Sequence, residues 1–131
     1  MNDSDYSQQF LERLSVRDFD GLKALFAPDA TARFLLPRGV EEQAGGEAIV
    51  GRFQDWFAGA SLFQVARCGD DRIGGRRRLD WNLRVVRTTE VPEDIQQIAF
   101  LWIGPGGIEQ LDLICSGFHL AEADAESSEA V

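Results

Sequence analysis

The chain is short of the residues that most often carry covalent, metal or membrane chemistry. It has two cysteines, Cys68 and Cys115, and one histidine, His119. Two thiols make no disulfide framework, and with a single imidazole they cannot assemble a familiar zinc site, so buried free thiols are expected and no metal or cofactor. No apolar run approaches the roughly 18 residues that a membrane span requires. The start, Met1-Asn2-Asp3-Ser4-Asp5, is acidic and lacks a basic region followed by an apolar one, which is unlike a secretory leader and suggests a cytoplasmic protein. Positive charge is also scarce: 13 Lys and Arg stand against 22 Asp and Glu, for a net charge of −9. Nucleic acid and anionic membrane surfaces both need a cationic footprint, so neither is expected as a partner.

What remains is an ordinary globular composition, 44% hydrophobic and 27% charged over 131 residues, enough for one core and one domain. Tyr6, Phe10 and Leu14, with Leu11 beside them, repeat at helical spacing behind the capping candidates Asp3 and Ser4, which predicts a helix from about Ser4 to Ser15. Asp18 opens a short second helix that Ala27-Pro28-Asp29 closes. Ala30 to Leu36 reads as a strand, and Gly39 to Gly46 as a polar loop or short edge strand where a pocket lid could sit. Glu47 to Ala58 carries the widest apolar stripe, Ile49, Phe53, Trp56 and Phe57.

From there only strands are expected. Ser61 to Cys68 ends in a turn at Gly69-Asp70-Asp71; Arg76 to Thr88 and Ile95 to Ile103 follow; Gly104-Pro105-Gly106-Gly107 turns the chain into Ile108 to Leu120. In the first of the long strands Leu79, Trp81, Leu83 and Val85 alternate with Arg78, Asp80, Asn82 and Arg84, so one face is buried and the other polar. Helices followed by a run of antiparallel strands indicate an α+β domain over 1–120, three helices packed in the concave face of a curved sheet. The small acidic stretch 121–131 reads as a disordered tail.

Asp18-Phe19-Asp20-Gly21-Leu22 leading to Leu25-Phe26-Ala27-Pro28-Asp29-Ala30-Thr31, then Gly46-Glu47-Ala48-Ile49 and the turn from Gly104 to Ile108, resemble the nuclear transport factor 2-like superfamily. That superfamily has a cystatin-like cone and includes steroid isomerases, SnoaL-type polyketide cyclases and limonene epoxide hydrolases. The resemblance implies that an isomerase tyrosine would fall at Phe10, its base aspartate at about Phe34 and its protonated aspartate near Ile98. None of these can take or give a proton, so the steroid isomerase mechanism is absent. The epoxide hydrolase likeness is partial. Arg78-Leu79-Asp80 has that family's arginine and aspartate two apart, but its second aspartate would fall at about Leu113, with Asp112 beside it, and its first-strand hydrogen-bonding residues near Arg33 and Leu35. For the cyclases, an acid on the late strands would be Asp112 or His119.

Two arrangements of the third-strand faces are open, separated by a slip of one residue. In one, Leu79, Trp81, Leu83 and Val85 face inward with Leu111, Leu113 and Cys115, joined by Ile98, Phe100 and Trp102, and closed by Phe10, Phe34, Phe53, Trp56 and Phe57; Arg78, Asp80, Arg84 and Asp112 are then outer ion pairs. In the other, Arg78, Asp80 and Asn82 line the cone and the apolar residues form an outer patch. The apolar register of the last strand favours the first. The function expected is binding of a small hydrophobic molecule in the cone by a homodimer formed through the sheet. The alternatives are a hydrolase or cyclase using Arg78 and Asp80 with Asp112 or His119, and a protein-binding module with a filled core.

Overall fold

Asn2, rather than Asp3 or Ser4, opens the first helix. Its side chain accepts the Asp5 N–H at 2.9 Å while its own N–H donates to the Asp5 carboxylate at 3.1 Å, a reciprocal cap that satisfies two otherwise orphaned donors. Helix α1 (Asp3–Ser15) then buries Ser7, Phe10 and Leu14. Asp18 accepts from the Gly21 N–H at 2.9 Å and starts α2 (Phe19–Lys23). The computed structural model describes residues 1–121, so the tail expected over 121–131 lies, apart from Ala121, outside the described residues.

Strand β1 (Phe26–Leu36) begins earlier than the sequence suggests, running through Pro28 and Asp29. The proline is tolerated because the register of β1 on its neighbour shifts between Phe26 and Thr31, where no regular ladder needs its missing N–H. Of the two forms expected for the polar stretch, the edge strand is the one found: β2 (Gly39–Ala44), paired antiparallel with β1. Arg52 on α3 (Gly46–Phe57) fixes it there, bonding Glu41 and Asp55 while lying over the Trp56 ring at 5.2 Å. Burial opposes the guanidinium charge, but the hydrogen bonds to Glu41 and Asp55 outweigh it and raise its pKa.

Strand β3 (Leu62–Ile73) passes straight through Gly69-Asp70-Asp71, and the turn comes at Gly74-Gly75, where Gly74 takes φ +61°. Gly69 is a strand residue for a packing reason: a Cβ there would stand 2.9 Å from the Asp80 carboxylate on the next strand. Asp70 is a strand residue because it turns inward, accepting from Ser7 Oγ at 2.8 Å and Arg77 Nη2 at 2.7 Å. Next come β4 (Arg76–Val86), β5 (Pro92–Gly104) and β6 (Gly107–Cys115). The single last strand expected to Leu120 is broken. Gln97 pairs with Cys115 and Asp94 with His119, so residues 116–118 bulge against only Ile95 and Gln96 before β7 (His119–Leu120) resumes pairing with β5. Gly117 makes that bulge possible, with φ +84°.

The sheet order is β2-β1-β6-β5-β4-β3, and it is antiparallel except where β1 meets β6, which is parallel. Three helices sit on the concave side of this curved, unclosed sheet, as an α+β cone requires. Cys115 is buried as expected; Cys68, on the edge strand β3, is exposed. No helix among the described residues is long and apolar enough to cross a membrane.

Candidate functional site

The alternation in β4 resolves in favour of the apolar face. Leu79, Trp81, Leu83 and Val85 are buried, while Arg78, Asp80, Asn82 and Arg84 are half-buried on the outside of the sheet. Phe10, Phe34, Phe53, Phe57 and Trp81 each have 0% exposure and fill the space beneath it. Phe10 lies 5.8 Å from Trp81 and 6.0 Å from Phe53; Phe53 lies 6.1 Å from Phe34 and 6.5 Å from Phe57, ring centre to ring centre. These are distances of rings in contact, so the side chains expected to wall a cavity pack against one another. Leu111 and Leu113 are buried with them, and Trp56 packs at the margin.

Strand β5 departs from the expected phase. Ile95, Gln97, Ala99 and Leu101 face inward, whereas Ile98, Phe100 and Trp102, which the sequence suggested for the cone, lie on the outer face. The inward glutamine is held by chemistry: the Trp81 indole N–H donates to Gln97 Oε1 at 2.8 Å. An indole is a donor only, so Oε1 must face it; Nε2 is then left for Cys115 Sγ at 3.2 Å. The Gly117 N–H also donates to that sulfur, at 3.3 Å.

The four residues considered for catalysis do not converge. Arg78 Nη1 binds Asp80 at 2.7 Å and its Nη2 reaches Asp71 at 3.8 Å, a cluster one-third or more exposed on the outer face. Asp112 is separated from Arg78 by Phe100, which pairs with both, so it sits two strands or about 10 Å away; its carboxylate accepts from Gln110 at 3.1 Å. His119 is in another region altogether. The neighbouring arginines are also occupied: Arg76 lies over Trp102 at 5.1 Å and Arg77 binds Asp70. Among the described residues no group of three or more His, Cys, Asp and Glu could hold a metal ion.

Read across the strands, the outer face falls into rows. Val40, Leu35, Ile114 and Ile98 form an apolar row that ends at Asp80; beside it run Glu42, Arg33, Asp112, Phe100, Arg78 and Asp71, whose charges change sign from one to the next. On the far side of the apolar row lies a groove of about 1030 Å³. Asn82, Gln96 and the Arg84–Asp94 pair are on its floor, with Gln64, Val65 and Ala66 on one wall and Ser116, His119 and Leu120 on the other. Arg84 Nε meets Asp94 Oδ1 at 2.9 Å and Nη2 meets Oδ2 at 3.1 Å. The His119 Nε2 atom faces the Ser116 carbonyl at 2.8 Å; a carbonyl only accepts, so that nitrogen bears the proton. Of the groove, sequence reasoning named Asn82, as a possible cone residue, Arg84, as an outer ion-pair partner, and His119. The adjacent Gln96 and Gln97 carried the missed signal, since in a strand one of them must face inward and the other outward.

No protein-family model and no curated protein matches this sequence. Solved structures do match in shape. A candidate polyketide cyclase from Xanthomonas campestris superposes with a TM-score of 0.69 over 85% of this chain and 87% of its own, at 17% identity. An NTF2-like protein of unknown function from Burkholderia pseudomallei gives 0.67 over 97% and 96%, at 16% identity. A hypothetical protein with a ketosteroid isomerase-like fold from Catenulispora acidiphila, solved in complex with trimethylamine, gives 0.67 over 82% of each chain, at 16% identity. Likeness at such identities speaks to architecture, and fold alone does not assign chemistry. On that architecture, three helices within a bent sheet whose β1 runs parallel to β6, the chain has the nuclear transport factor 2-like fold.

Proposed function

We propose that this chain is a binding domain whose working surface is the outer face of the sheet, and that its cone is a packed core. The observation that carries this reading is the interior: five aromatic side chains at 0% exposure in mutual contact. The groups a hydrolase or cyclase would use, Arg78, Asp80, Asp112 and His119, are dispersed over the outside, which gives the catalytic alternative no common centre. The first partner of the outer face is a second copy of the chain. Val40, Leu35 and Ile114 are 65%, 46% and 45% exposed in one continuous row, and the flanking row alternates in sign, so a twofold axis can set unlike charges opposite each other. Sedimentation of the full chain tests this: a dimer is expected, and Ile114→Lys should yield a folded monomer. A wild-type protein that stays monomeric at high concentration removes the reading.

A second reading, a small hydrophobic molecule inside the cone, is favoured by one observation. Phe118 closes the end of the cone against Phe57, at 6.4 Å, from the bulge between β6 and the two-residue β7, with the Arg87 guanidinium over its ring at 3.7 Å. Saturable binding of a neutral fluorophore such as Nile red with quenching of Trp81, strengthened in Phe118→Ala, would support it over the packed core.

A further inference from the structure

The groove over β4 and β5 has a chemistry of its own, independent of self-association. Two bulges produce it. One, at Ala66, is the register shift between Val65 and Arg67 on β3; the other is residues 116–118 between β6 and β7. Bulges bend their strands, and these two flank β4 and β5 on either side, so the outer surface is locally hollow. On the floor Asn82 and Gln96 are directly paired across the strands, which brings their Cβ atoms within about 5 Å, and Gln64 stands one diagonal away.

Three features distinguish these carboxamides from scattered surface amides. Among the described residues the Asn82, Gln96 and Gln64 side chains make no hydrogen bond to the protein; Gln96 bonds Ser116 only through its main-chain N–H. Among the described residues the one cation on the floor, Arg84, is matched in two hydrogen bonds by Asp94, so their charges cancel. Apolar surface from Ala66 and Leu120 completes the lining. The main-chain groups of β4 and β5 are already used by neighbouring strands, so a guest can be read only through side chains.

We propose that this groove is a binding site for a small neutral lactam, a molecule with an apolar ring and an N–H and C=O on one edge. A carboxamide presents a donor and an acceptor side by side, and only a cis amide offers the matching pair, giving two parallel hydrogen bonds per contact. A trans amide, as in an ordinary peptide, points its N–H and C=O in opposite directions and makes one. The cancelled charges of Arg84 and Asp94 disfavour anions and cations alike, and the apolar lining accommodates the ring.

The probe is ε-caprolactam, titrated into the isotope-labelled full chain while the side-chain amide signals of Asn82, Gln96 and Gln64 are followed by NMR. Saturable shifts confined to these groups and His119 are expected, with affinity about tenfold weaker in Asn82→Val and in Gln96→Val, the loss corresponding to one hydrogen-bonded contact. Cycloheptanone, the same ring without the N–H, should bind at least about tenfold more weakly. Equal response to the two probes, linear shifts without saturation, or shifts centred on Trp81 and Phe10 would each overturn the assignment. In the monomeric Ile114→Lys chain the lactam response should persist, so the groove and the dimer stand or fall separately.

Discussion

Trp81 and Gln97 are joined by a hydrogen bond in the most apolar part of the molecule, 2.8 Å long, with exposures of 0% and 1%. The pair ties β4 to β5 across the inner face and explains why a glutamine occupies a core position. Gln97→Leu should leave the indole N–H unsatisfied and destabilise the fold by about 1–3 kcal/mol. Trp81→Phe should cost at least as much, since it also opens a void. The double variant should cost clearly less than the sum of the two, measured by urea unfolding; strict additivity would mean the hydrogen bond contributes nothing.

Asp80 makes a different case. Its ion pair with Arg78 is short, but both side chains are 34% exposed on the outer sheet face. Asp80→Asn is therefore expected to change stability by less than about 1 kcal/mol. A loss of several times that size, in the same urea experiment, would mean that the carboxylate has a role the geometry does not account for.

Asp70 carries more weight although it lies on the same hairpin. It accepts from Ser7, which has 0% exposure, and from Arg77, so it clips α1 to β3 and β4. Asp70→Ala leaves the half-buried Arg77 guanidinium without its carboxylate and the Ser7 hydroxyl with only the Ser4 carbonyl, and should cost about 1–3 kcal/mol, whereas Ser7→Ala removes one hydrogen bond and should cost about 1 kcal/mol. Thermal unfolding of the two variants should rank them in that order; the reverse order would place the anchor elsewhere.

Gly107 tests the turn into β6. Its φ is +121°, and a Cβ there would meet the Leu25 carbonyl oxygen at 2.7 Å, beside the bond from the Ile108 N–H to that same oxygen. Backbone cannot swing aside as a side-chain tip can. Gly107→Ala should destabilise by about 1–3 kcal/mol, while Gly51→Ala, with nothing within 4 Å and a helical setting, should be neutral or stabilising.

The inward phase of β4 was legible because its alternation is clean: every second residue is polar. That of β5 was not, because Ile98-Ala99-Phe100-Leu101-Trp102 is apolar at both phases, and period two carries no information where both faces are hydrophobic. The choice is made by a partner on another strand, Trp81, whose N–H needs an acceptor. Gly69-Asp70-Asp71 failed for a related reason. Its residues are those of a turn, yet the glycine is small because Asp80 lies over it and the aspartate is polar because Ser7 and Arg77 await it. The arrangement of helices and strands followed from local pattern, and the cone from their order. The groove depends on two bulges, which shift register without leaving a compositional mark apart from Gly117.

The pairing of β1 with β6 sets how fast this chain can reach its native state. Thr31 is matched with Gln110 and Phe34 with Leu113, so the middle of the sheet joins the beginning of the chain to its end. The β3–β4, β4–β5 and β5–β6 hairpins close over short loops, whereas this pairing must first sacrifice the freedom of everything between. High contact order of this kind places refolding in the millisecond-to-second range. Until β1 docks, the exposed rim of β6 is an open template for another chain, which makes the nascent protein most vulnerable to aggregation just before it is finished.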